Sequence, residues 1–147
     1  MAGFERRAEV VWEGALATGG GTVTSRTGAL GDLPVTWASR VERPEGATSP
    51  EELIAAAHAA CYAMAFSNTL NEAGNPPERL HVTAVVSAEL GDEGLAVTGS
   101  ELTVVGRVPG MDAGEFERLA EDGDRSCPVS NALRGNLEIR VHATLED

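Results

Sequence analysis

The chain contains no lysine. All 11 of its basic residues are arginines, set against 23 Asp and Glu for a net charge of −12. That balance argues against nucleic acid or an anionic membrane as a partner, because their phosphates would be repelled. It carries no information about small uncharged substrates. Long apolar runs are also missing. The most apolar stretch, Leu53 to Phe66, reads as too short and too rich in alanine to span a bilayer. The first ten residues carry Glu5, Arg6, Arg7 and Glu9 without an apolar core, so no signal peptide is expected and the protein is expected to be cytoplasmic. Cysteine is limited to Cys61 and Cys127. In the cytosol two such thiols are expected to be reactive or inert rather than a structural staple. Cys-x-x-Cys and His-x-x-x-His pairs are absent, and no cofactor is expected. Gly19-Gly20-Gly21 is followed by neither a helix start nor a lysine, so it reads as a hairpin loop rather than a phosphate cradle.

What is present is organised around one helix. The 147 residues are expected to form a single domain, 1–147, with one main core. Within it Ser49 is placed as an N-cap, Pro50 suits the first helical turn, and Glu52 falls three residues after Ser49 as in a capping box. Helix formers run on to Ala73, where Gly74-Asn75-Pro76-Pro77 supplies a stop. From Pro50 to Ala73 is roughly 36 Å of helix. Leu53, Ala57, Ala60/Cys61 and Met64 recur at helical spacing, which predicts Cys61 on the apolar stripe. Seven alanines between 55 and 65 leave a smooth surface that another helix can approach closely.

Before that helix, residues 4–14, 22–25 and 33–41 read as three strands, separated by turns at the triple glycine and at 28–32. After it, Leu80 to Leu90 alternate cleanly, Gly91-Asp92-Glu93-Gly94 turns, and Leu95 to Val108 forms a long strand interrupted near Gly99-Ser100. Asp112 and Glu115 open an acidic helix expected to reach about Glu121 and to break at Gly123-Asp124. Pro128 opens a short helix ending before Gly135, and Leu137 to Leu145 alternate as a last strand. The order is βββα–ββααβ, an α+β fold with antiparallel sheets around a long central helix.

Cys61 alone is equally readable as a small buried hydrophobe. Cys127 precedes Pro128 at a predicted helix start, where the dipole and free N–H groups favour a thiolate. A free thiol is only a few per cent ionised at neutral pH, so a reactive one needs a cation held against it. Arg40 is the best placed of the arginines, with Arg43 close by, and Glu51 could hold it through a two-pronged salt bridge. An acid in the first turn of a helix is, however, favoured by the dipole alone. His58 lies three residues before Cys61, which leaves a Cys–His dyad or a His58/Cys61/Cys127 metal site conceivable.

Pro-Glu-Glu-Leu-Ile-x-Ala-Ala-His-Ala-Ala-Cys at 50–61, followed by Cys-Pro-Val-Ser at 127–130, resembles the OsmC/Ohr family of thiol peroxidases, as do Trp12-Glu13-Gly14 and Pro109-Gly110. The arginine at 40, rather than in the first hairpin, is similar to the OsmC branch. The resemblance implies a cytosolic homodimer, without metal or other cofactor, that reduces organic hydroperoxides in oxidative or osmotic stress. It implies that Cys61 is the peroxidatic thiol, Cys127 the resolving one, and Arg40 with Glu51 the activating pair. It further implies a Cys61 sulfenic acid, a Cys61–Cys127 disulfide, and a dithiol reductant such as dihydrolipoyl groups. Two other classes stand beside this reading: a non-catalytic stress or small-molecule-binding protein with inert thiols, and a Cys–His hydrolase using His58.

Helix geometry adds an expectation of its own. Glu51 and Cys61 are ten residues apart, about 15 Å along one straight helix, and an arginine reaches about half that distance. No Pro or Gly interrupts residues 51–73, so a break is not expected. The spacing therefore predicts an intertwined homodimer in which Arg40 and Glu51 of one chain serve Cys61 of the other.

Overall fold

Two three-stranded sheets carry the strands, each in one of two compact units, the first ending at Leu53 and the second spanning Ile54–Asp147. The computed structural model describes residues 2–147. In chain order the elements run βββααββααβ, an α+β arrangement as expected, with one short helix more than the sequence reading gave.

In the first unit β1 (Ala8–Glu13), β2 (Gly20–Ser25) and β3 (Leu33–Val35) pair antiparallel in that order. Trp12 lies opposite Gly21, and a Cβ at Gly21 would come within 2.9 Å of the indole, so the ring packs where a side chain is missing. The predicted third strand, 33–41, needs correction. Only Leu33–Val35 is extended, and Trp37–Val41 forms a helical turn, α1. Its cause is local: Thr36 Oγ1 accepts from the Ser39 N–H and Ser39 Oγ from the Thr36 N–H, both at 2.9 Å. The buried Ser39 hydroxyl also donates to the Thr48 carbonyl at 2.9 Å, tying α1 to the segment that enters the next helix.

That helix, α2 (Pro50–Glu72), begins in the first unit and continues in the second. Ser49 Oγ accepts from the Glu52 N–H at 3.1 Å, while the Glu52 carboxylate accepts from the Thr48 hydroxyl at 2.8 Å instead of turning back to Ser49. Gly74 closes it with φ of +89°, a left-handed conformation that glycine adopts without strain. The stripe read from the sequence is shifted. The buried side chains are His58, Tyr62, Phe66 and Leu70, four residues apart, while Met64 is 68% exposed and Cys61 half-buried beside the stripe. Large aromatic side chains outcompete alanine and methionine for the core because they remove more apolar area from water. The whole helix, longer than its most apolar run, is long and apolar enough by length and composition to cross a membrane. That revises the expectation drawn from Leu53–Phe66. Its aromatic side is nevertheless occupied by the protein core.

In the second unit β4 (Arg79–Gly91) and β5 (Gly94–Arg107) form the expected hairpin, with a register shift at Ser87/Ala88 that leaves Thr98 as the extra residue. Next come α3 (Ala113–Ser126), α4 (Pro128–Leu133) and β6 (Glu138–Leu145). β6 runs parallel to β5, from Gly99↔Glu138 to Gly106↔Leu145, so this sheet is mixed rather than antiparallel. A parallel neighbour needs a long crossover, and the two helices between β5 and β6 provide it. α3 does not stop at Glu121. Gly123 stays helical, and its bare Cα faces Phe66, whose Cβ would lie 3.1 Å from any side chain there. The core gathers Tyr62, Phe66, Leu70, Leu102, Val104, Phe116, Leu119 and Ala120 around Cys127. The Phe66 and Phe116 rings sit 5.1 Å apart in a tilted pair, the separation at which aromatic quadrupoles attract.

Candidate active site

α1 and the first turn of α2 bring Arg40 to Glu51. Arg40 Nε donates to both carboxylate oxygens at 3.0 and 3.1 Å, and Nη2 donates to Oε2 at 2.8 Å. This is the two-pronged pairing expected from the sequence, and Arg40, not Arg43, is the partner of Glu51. Arg40 reaches Glu51 from a helical turn rather than from a strand end, which displaces it from its predicted element but not from its predicted partner. The guanidinium hydrogen bonds hold the Glu51 carboxyl below its ordinary value of 4.5, against a smaller opposing effect of burial.

The second unit brings the two cysteines together. Cys61, on α2, is a half-buried free thiol, and Cys127 is a fully buried one. Cys127 is the N-cap of α4, with Sγ accepting from the Ser130 N–H at 3.5 Å. Besides burial, the Val129 backbone amide and the Cys127 thiol are the groups that act on the Cys61 sulfur. Burial pushes the Cys61 thiol up, the Val129 N–H works against that by favouring the thiolate, and the Cys127 thiol pushes it up further. The first turn of α4 therefore donates the Ser130 N–H to the Cys127 sulfur, and its Val129 amide favours a Cys61 thiolate. The second unit thus holds two free thiols, and burial favours the neutral form of the more accessible one.

His58 does not join them. It is fully buried, with Nδ1 at 2.6 Å from Ser100 Oγ and Nε2 at 2.7 Å from Ser130 Oγ. Burial lowers its pKa, which favours the neutral ring. With both nitrogens engaged by hydroxyls, the Cys–His dyad is not formed, and the hydrolase reading loses its base. The conceived His58/Cys61/Cys127 metal site is likewise not assembled: among the described residues no three His, Cys, Asp or Glu side chains are grouped to hold a metal ion.

Other contributors escaped the sequence reading. Ser100 and Val129 carry no signal of their own. Ser130 stands three residues after Cys127, the spacing of an N-cap and its N3 partner, which is the one clue available. Arg134 Nη2 meets Asp124 Oδ2 at 3.1 Å and clamps the α3–α4 junction, leaving Asp124 Oδ1 buried without a partner. Tyr62 donates its hydroxyl to the Ala120 carbonyl at 2.8 Å from the same side of α2 as His58.

The family model described as OsmC-like protein matches residues 43–142. The curated peroxiredoxin OsmC of Escherichia coli is 40% identical over 136 residues, covering 92% of this chain and 94% of that protein. The organic hydroperoxide resistance protein OhrA of Bacillus subtilis is 33% identical over 116 residues, covering 75% and 77%. Among solved structures, the organic hydroperoxide resistance protein OsmC of Legionella pneumophila superposes with a TM-score of 0.76 at 28% identity, covering 98% of this chain and 99% of that one. A match over 100 consecutive residues, together with relatives aligned nearly end to end, makes this chain a member of the OsmC-like protein family.

Proposed function

We propose that this protein is a thiol-dependent peroxidase that reduces organic hydroperoxides, and hydrogen peroxide less well, in oxidative or osmotic stress defence. The observation that carries the reading is the half-buried Cys61 thiol set against Cys127 at the start of α4, in a chain whose relatives are named as peroxiredoxin and organic hydroperoxide resistance proteins. The Cys61 thiolate attacks the distal peroxide oxygen. The O–O bond breaks, the alkoxide leaves and takes a proton to become the alcohol, and Cys61 becomes a sulfenic acid. Cys127 then condenses with it, forming the S–S bond and releasing water. An external dithiol, dihydrolipoyl groups by family analogy, restores both thiols by exchange.

Burial alone keeps Cys61 protonated, so the scheme requires a cation that the groups around the sulfur do not supply. Arg40, oriented by Glu51, fills that role from a second copy of the chain. α2 is unbroken from Pro50 to Glu72, which leaves Glu51 about 15 Å along the axis from Cys61. The homodimer also gives a partner to the exposed apolar side chains of β1, Val10 and Val11, which are 57% and 65% accessible. In this reading the 147 residues act as one domain in the cytoplasm, with no nucleic-acid or membrane partner and no cofactor.

The purified protein, given cumene hydroperoxide and a dithiol, should consume peroxide over many turnovers. Cys61→Ser should abolish consumption, and Cys127→Ser should allow one rapid turnover and then stall. Sustained turnover by Cys61→Ser, or a kcat/KM clearly higher for hydrogen peroxide than for cumene hydroperoxide, contradicts the proposal. A non-catalytic binding protein would consume no peroxide in any of these forms.

A further inference from the structure

We infer that His58 is a positioning residue for disulfide formation: through Ser130 it fixes the first turn of α4, and with it Cys127, against Cys61. The inference rests on the two-thiol reading above and adds a role to a residue which that chemistry leaves unused.

A buried imidazole costs free energy unless both nitrogens find partners. Here both do, with hydroxyls that are themselves buried, Ser100 on β5 and Ser130 on α4. A neutral ring has one donor and one acceptor, and each hydroxyl can take the complementary part, so either tautomer satisfies all three groups. The result is a short, direct bridge from the centre of α2 to the strand on one side and to α4 on the other.

α4 needs such an anchor. Its six residues are far fewer than an isolated helix requires for stability, so tertiary bonds set its position. Its exposed ties, Arg134 to Asp124 and Asn131 Nδ2 to the Arg125 carbonyl, hold it to the end of α3. The His58–Ser130 bond is the buried side-chain tie to α2, and it lies one turn from Cys61 on that helix. Ser130 is also the residue whose N–H donates to Cys127 Sγ, and the amide of the adjacent Val129 favours the Cys61 thiolate. The residue that His58 grips thus sits within the group that presents both sulfurs.

Disulfide geometry is demanding in Cα separation and torsion, so a small drift of α4 removes much of the advantage of proximity. In the resolving step the Cys127 thiol and the Cys61 sulfenic acid give a disulfide and one water. No proton is gained or lost overall, so the step requires none from His58.

The test compares wild type, His58→Leu and Ser130→Ala in glutathione redox buffers without peroxide, reading the equilibrium between dithiol and Cys61–Cys127 disulfide by mass spectrometry of alkylated protein. Two thiols and one glutathione disulfide give one protein disulfide and two reduced glutathiones, so the ratio reports how well the native fold holds the sulfurs together. Both variants should lose about tenfold or more in that equilibrium, about 30 mV for a two-electron couple. Phe116→Leu, a core change at the ring packed on Phe66, serves as a control of matched thermal stability and should stay within about threefold of wild type. If His58→Leu does not fold, Ser130→Ala decides, since it removes only one end of the bridge. Variants that hold the disulfide as tightly as wild type overturn the inference, as does a Phe116→Leu loss equal to theirs. A wild type that never forms the disulfide overturns it as well. Because this assay contains no peroxide, it judges the positioning role separately from hydroperoxide turnover, which judges the peroxidase reading.

Discussion

Glu51 accepts three hydrogen bonds from a single guanidinium, so neither partner can rotate without the other. The consequence for pH follows from the sign of the shift. A carboxylate depressed below 4.5 in the folded protein contributes stability that is fully present above that value and is lost as pH falls through the lower folded value. Glu51→Gln should therefore melt below wild type at neutral pH, and the gap should close as pH falls from about 5 through the lowered folded value, read from Tm along that descent. The same variant should lower kcat/KM for cumene hydroperoxide by about tenfold or more, since the arginine keeps its charge and loses its aim. Cys61 gives a complementary prediction. Its thiol is pushed above its ordinary value by burial, so the proposed reactivity near neutral pH calls for a further group that favours the thiolate, the role proposed for Arg40. Arg40→Ala should shift the midpoint of the Cys61 alkylation rate upward by at least about one pH unit, and an unchanged profile excludes Arg40 as the activator. Arg40, Glu51, Cys61 and Cys127 could be named as candidates from the sequence because each bears chemistry and sits at a recognisable spacing. Ser100 was not, because its only relevant property is meeting a histidine 42 residues away in the chain.

At the scale of elements, local signals served well and non-local ones did not. The start and stop of α2, the Asp112 cap of α3 and the 91–94 turn were readable because each is written within four residues. The direction of β6 was not, because alternation has the same period in parallel and antiparallel strands. Neither was the buried side of α2, a helix with apolar residues on all sides, where only packing selects the Tyr62/Phe66/Leu70 stripe. The failed break at Gly123 is the most instructive case. Gly-Asp reads as a stop, yet tertiary contact holds the helix through it, because a side chain there would meet the Phe66 Cβ at 3.1 Å and its Cα at 3.2 Å. Gly123→Ala should thus destabilise by about 1–2 kcal/mol, even though alanine is favoured by about 1 kcal/mol inside a helix, because the fully buried Phe66 backbone cannot give way. Gly114→Ala, in the exposed first turn with only Asp112 Oδ1 near at 3.5 Å, should be neutral or stabilising. Urea midpoints of the two variants measure the contrast, and equal effects remove the packing explanation.

For the whole molecule the unresolved demand is charge. Two thiols gather in the second unit and the arginine–carboxylate pair in the first, and the helix that carries both Glu51 and Cys61 runs without interruption from Pro50 to Glu72. Ten residues of that helix separate the two side chains by about 15 Å along the axis, while an arginine bonded to Glu51 spans roughly half as much. If Arg40 activates Cys61 while bonded to Glu51, the two belong to different copies of the chain. A two-fold arrangement then makes two equivalent sites, each with a cysteine pair from one copy and a cation from the other. Mixing Cys61→Ser with Arg40→Ala under conditions that exchange subunits tests this directly, since each variant alone is expected to be inactive. In a heterodimer the intact Cys61 of the Arg40→Ala chain meets the intact Arg40 of its partner, and the opposite site has neither. Random exchange places about half of the subunits in heterodimers with one working site in two, so activity should return to about a quarter of wild type. Sites confined to single chains predict none. Heterodimers verified by native mass spectrometry that remain inactive would exclude the shared site.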